Sequence, residues 1–223
     1  MNRKAEKILK DLYPKFPEWS RDFREFLGLF YQDIWFPEAD EQKIWESIEN
    51  IYATVLESII SMSGINDRWE GPEFIPLAVK AGLEVHYRSA KMECPFSFGT
   101  DEQGFFLSAD LLYSEMIRKM DDNFWYQVAE LTRFGKLDLW EHRAWPESQV
   151  RKEPWFHRKS GSRIFQIIRS SVTLEKEDGA AEGLGMLIIR WKYDTSWEKL
   201  LESGSASFHN LYRINEALWE KGR

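Results

Sequence analysis

Cysteine is nearly absent, with Cys94 the only one in 223 residues. A single thiol cannot close an internal disulfide, so the fold must be held by its core, and a reducing compartment is expected. Long apolar runs are missing too. Nowhere do about eighteen uncharged apolar residues follow one another, the length that marks a membrane helix. The opening MNRKAEKILKDLYPKF has no apolar run of signal-peptide length. A cytoplasmic protein outside the membrane is the expectation.

Histidine is scarce as well, with four in the chain. None stands three or four residues from another, so the short fixed spacings of a metal site are lacking. His86 precedes Cys94, but no local signature of a thiol nucleophile surrounds the pair. The run GAAEGLGM lacks both the G-x-G-x-x-G spacing and the phosphate-loop lysine, and it leads into a strand rather than a helix. Gly179 and Gly183 are therefore read as turn residues. Glu46 and Glu49 share a helix face without a second acidic pair to complete a divalent-ion site. No catalytic residue, metal or cofactor is expected, and neither an internal repeat nor a low-complexity tract is present.

Positive charge is in deficit, 30 Lys and Arg against 37 Asp and Glu, for a net charge of −7. This disfavours nucleic acid, whose phosphates supply most non-specific affinity through basic side chains. A charged partner is expected to be basic.

Aromatic and β-branched residues are what the chain does have. Eleven Trp and fifteen Phe imply a large aromatic core. The β-branched residues concentrate in 163–193, which reads as two strands, RIFQIIRSSVTLE and LGMLIIRWKY, joined by a glycine-bearing turn. In the second strand Leu187, Ile189, Trp191 and Tyr193 form one face. Met186 and Ile188 keep the other apolar until Arg190 and Lys192 bring charge out, the pattern of a central strand covered on both sides over its first half.

Helical spacing predicts a short helix over 3–12, a second through Trp19, Phe23, Phe26, Leu27, Phe30 and Ile34, and a long third from about 40 to 62, stopped at Ser63-Gly64. Residues 65–82, broken by Pro72 and Pro76, read as an irregular connection. Leu83, Val85 and Tyr87 alternate with charged residues as a strand, and FSFGTDEQGFFLS as a turn between extended pieces. Ser108 is placed as the cap of a helix carrying Leu112 and Met116. A further helical run through Phe124, Val128 and Leu131 follows the polar break at Asp121-Asp122 and ends at Gly135. Residues 136–162 show no period. Thr195 with Glu198 makes a capping box for a short helix, and Phe208, Leu211, Tyr212, Ile214 and Leu218 mark a last amphipathic one. These readings add up to an α+β fold, with an N-terminal helical layer and an antiparallel sheet of about four strands with flanking helices. A single domain over 1–223 is expected, with 1–64 as a candidate helical subdomain.

Charge is lopsided along the chain. Between residues 33 and 57 seven acids face one base, Lys43, and Asp101, Glu102, Asp110, Glu115, Asp121, Asp122 and Glu130 form a second acidic stretch. An acidic surface with aromatic anchors steers and holds a basic partner. The partner-binding residues expected on this ground are Asp33, Trp35, Phe36, Glu38, Asp40, Glu41, Trp45 and Glu49. The corresponding function is a protein-binding module of the immunity or antitoxin kind that occludes a basic toxin or nuclease. The alternative is a small-ligand protein or enzyme whose cleft is formed by the 136–162 loop, with Trp140, His142, Trp145, Arg151, Trp155, His157 and Arg158 as site residues. A third reading sets Arg151, Lys152, Arg158, Lys159 and Arg163 beside Trp155 and Phe156 for nucleic acid, against the overall charge. Oligomeric state is not set by the sequence.

Overall fold

The computed structural model describes residues 38–77, 82–101, 103–141, 164, 167–168 and 184–223. In chain order its elements are helix α1 (Glu38–Ser63), strands β1 (Trp69–Leu77), β2 (Gly82–Ser89), β3 (Pro95–Asp101) and β4 (Gly104–Asp110), a 3-10 helix (Ser114–Lys119), helix α2 (Asp122–Phe134), strands β5 (Lys136–Glu141) and β6 (Gly185–Trp191), and helix α3 (Trp197–Gly222). The two helices expected before residue 38 lie outside the described residues.

The strands form one six-stranded antiparallel sheet in the order β1-β2-β3-β4-β6-β5. The fold is α+β, with six strands rather than about four. The two additional strands are the edges, and both come from stretches whose sequence reads as irregular. β1 contains Pro72 and Pro76, which cannot donate to a ladder and are tolerated where one side of the strand is free of the sheet. A register shift between Glu70 and Glu73 takes up one extra residue. β5 is six residues long and offers only Leu137 and Leu139 as buried alternate positions, too short a pattern to stand out.

Strand β6 sits between β4 and β5, as its two apolar faces suggest, but its neighbours are not the expected ones. Of the stretch read as its hairpin partner, residues 164, 167 and 168 are helical, and the rest lies outside the described residues. Ile164, Ile167 and Ile168 stand at spacings of three and four, which fits a helix as well as a β-branched run fits a strand; Ile167 is buried and Ile168 exposed.

One sheet face is apolar in rows that cross it from strand to strand. Val85, Phe98, Leu107, Ile189 and Leu137 are successive register partners, as are Tyr87, Phe96, Ala109, Leu187 and Leu139. All ten are buried, because side chains two apart on a strand share a face and each row meets the helices together. On this face α3 lies between α1 and α2, with α1 over β2 and β3, α3 over β4 and β6, and α2 over β5 and β6. Trp69, Phe96, Phe208 and Tyr212 make a ring cluster with centroids 5.0–6.0 Å apart.

Helix ends follow local chemistry. Gly64 at φ 73° stops α1 where expected. The Asp121-Asp122 break is a helix start, with the Asp121 side chain accepting from the Phe124 N–H at 3.1 Å. Ser108 is a strand residue rather than a cap. Tyr113, in the left-handed region at φ 55°, turns the chain before the 3-10 helix, so Leu112 precedes that helix and Met116 lies in it. Thr195 does not cap α3; Ser196 does, accepting from the Lys199 N–H. α3 then runs for 26 residues without the break expected between two helices.

Candidate functional site

Five of the expected partner-binding positions, Glu38, Asp40, Glu41, Trp45 and Glu49, fall on α1, while Asp33, Trp35 and Phe36 lie outside the described residues. By helical spacing, position 49 shares the stripe that continues as buried Tyr52 and Leu56. Glu49 is consequently half-buried. Its carboxyl is held above the usual range, first by burial and then by the charge of Glu46. Glu46 and Glu57 are exposed, and the Glu57 carboxylate accepts from the Tyr87 hydroxyl at 2.6 Å. Over its 26 residues α1 carries six acids and one base, with no basic residue in its last turn.

The second acidic stretch does not form one surface. Asp101 is buried, Asp121 caps α2, and Glu130 is held by Arg133 at 2.9 Å. An acidic count along the sequence therefore overstates the charge available there.

The sheet face away from the helices holds polar groups that the sequence does not announce. Glu73, His86, Ser97, Ser108, Ile188 and Asp138 are successive register partners from β1 to β5. His86 Nε2 is 3.0 Å from Glu73, whose carboxyl is lowered by that hydrogen bond and by the charge of the ring. Among the described residues no hydrogen bond links His86 to Ser97, so the row does not form a nucleophile and base relay.

Beside the row, Arg190 lies between two carboxylates, 2.6 Å from Asp101 and 3.7 Å from Asp138, with Phe106 under its guanidinium at 5.6 Å. It is 7% exposed, against the expectation that charge emerges at this point of the strand; Lys192 is the residue that reaches solvent. Nε is buried without a hydrogen bond, 3.7 Å being too long for one. Gln103 N–H donates to Asp101 Oδ1, and the Tyr193 hydroxyl to its carbonyl. These contacts tie the β3–β4 turn to β6 and β5, a structural role. A charged residue inside an apolar strand was the available signal.

Cys94 is fully buried, its thiol raised by burial and then by Asp110, and Sγ faces the Asp110 carbonyl at 3.4 Å. With His86 held by Glu73, the two do not form a dyad. Among the described residues no group of three or more His, Cys, Asp or Glu is placed to hold a metal ion, and no helix is long and apolar enough to cross a membrane.

Of the alternative loop site, Trp140 is on edge strand β5 and 40% exposed. His142, Trp145, Arg151, Trp155, His157 and Arg158 lie outside the described residues. The first six residues of the supposed loop are thus strand. No family model, curated protein or solved structure matches the chain.

Proposed function

We propose that the protein is a cytoplasmic binding module of the immunity or antitoxin kind, one that occludes a basic toxin or nuclease through the acidic and aromatic surface that begins near Asp33 and continues on α1. The observation that carries this reading is the charge of α1, six acids against one lysine. Within it, Glu49 is held in a position where ionisation is disfavoured by burial and by Glu46. The positive charge of a basic partner offsets the repulsion between Glu46 and Glu49, and such complementarity acts mainly on encounter rate and choice of partner.

The test is purification from the native host followed by mass analysis of what travels with the chain at fixed stoichiometry. A basic protein is expected, released by salt and by the exposed charge reversals Glu46→Lys and Glu57→Lys. Recovery of the monomer alone, or of self-assembled chain alone, ends the proposal.

A further inference from the structure

We propose that the groove where the C-terminal ends of α1 and α2 meet the outer side of α3 seats a lysine or arginine side chain of a basic protein partner. The inference rests on the protein-binding reading above and adds a second contact to it. The groove has a volume of about 440 Å³ and is lined by Met62 and Ser63 from α1, Phe134 from α2, and Glu202, Ala206 and His209 from α3 among others.

Its walls and its charge fit one kind of group. Met62 is 39% exposed, Phe134 half-buried, and with Ala206 they offer an apolar channel for an aliphatic stem. The end of each helix presents roughly half a negative charge from its last carbonyls. The terminal carbonyls accept from ring N–H groups, Ser63 O from His209 Nδ1 at 3.1 Å and Phe134 O from Trp191 Nε1 at 2.7 Å. Among the described residues no lysine or arginine is used for this. α1 has no basic residue in its last turn, and Arg133 of α2 is drawn to Glu130 at 2.9 and 3.0 Å. The exposed Glu202 carboxylate adds a full negative charge at the rim, and no lysine or arginine is among the described residues lining the groove. A stem that packs on Met62 and Phe134 and a cationic head that reaches Glu202 and the helix ends describe a long basic side chain.

The position also suits the partner. From Glu46 to the end of α1 the helix rises roughly 25 Å, a span that one interface of ordinary size covers.

A capped hexa-arginine peptide titrated into the isotope-labelled full chain, followed by amide chemical shifts, tests the inference. Shifts are expected at Ser63, Phe134, Ala206 and His209, weakened by salt and about fivefold by Glu202→Lys. Ala206→Trp, which fills the groove, is expected to abolish them while leaving the remaining spectrum folded. Shifts confined to residues 38–57, or an affinity unchanged in Glu202→Lys, overturn the groove and leave the acidic helix as the docking surface. No shifts anywhere overturn both readings.

Discussion

Arg190 shows most directly how a residue's environment outweighs its type. A guanidinium 7% exposed is tolerable because Asp101 and Asp138 compensate its charge. Removing the arginine leaves Asp101, 1% exposed, without its counter-charge, so Arg190→Met is expected to lower stability by about 3–5 kcal/mol. Urea unfolding of Arg190→Met, Asp101→Asn and the double variant measures this; additive losses would show that the pair is not coupled. Two carboxylates are expected to respond to pH in opposite senses. Glu49 has a raised folded-state pKa, so its contribution is complete below the unfolded value and is lost as pH rises through the folded one. Glu49→Gln should therefore be more stable than the parent at neutral pH and indistinguishable below about pH 4. For Glu216 burial pushes the carboxyl up, but the bonds from Lys91 at 2.6 Å and from Arg213 outweigh it, and the net shift is downward. Its contribution is present above the unfolded pKa and lost as pH falls through the folded one, so Glu216→Gln should lose stability at neutral pH and approach the parent in acid.

At the level of elements, the close approaches are made by glycines. Gly104 opens β4 at φ 133°, and a Cβ there would stand 2.1 Å from the Trp191 carbonyl oxygen. Neither the angle nor the backbone neighbour can give way, so Gly104→Ala is expected to cost about 2–3 kcal/mol and to lower the melting temperature. Gly204 lets α3 approach α1, where a Cβ would meet the Ile59 methyl at 2.9 Å. That methyl is the end of a movable chain. Gly204→Ala should thus be near neutral, its helix-propensity gain of about 1 kcal/mol offset by the shift of Ile59. Gly204→Leu should destabilise by about 1–3 kcal/mol. Thermal melts that placed Ala and Leu together would contradict this account of the helix crossing.

Across the described residues as a whole, three helices share one sheet face, and the acidic α1 lies at one side of that layer. If this helix meets a basic partner, charge governs the encounter more than the lifetime of the complex. The association rate is expected to fall steeply between low salt and about 0.15 M, where charges more than about 8 Å apart are screened, while dissociation changes little. Stopped-flow or surface-binding kinetics separate the two rates, and a salt effect found only in dissociation would contradict an electrostatically steered encounter.

Taken alone, the sequence determined the elements whose pattern is local and long. In the stripe read through Ile51, Val55, Ile59 and Met62 the first three are buried and mark α1, while Met62 is exposed at the helix end. The alternation of Val85 and Tyr87 marks β2, and Phe208, Leu211, Ile214 and Leu218 mark α3, because burying one face imposes a period on neighbouring residues. The α+β class follows from their order. Only tertiary structure decided that β1 and β5 close the sheet, since an edge strand needs a pattern on one side alone and admits proline. It decided as well that Arg190 is buried against Asp101, 89 residues away in sequence. The candidate surfaces divide in the same way. The acidity of α1 is written in consecutive residues, whereas the groove joins the ends of α1 and α2 to the middle of α3, and no window of sequence contains all three.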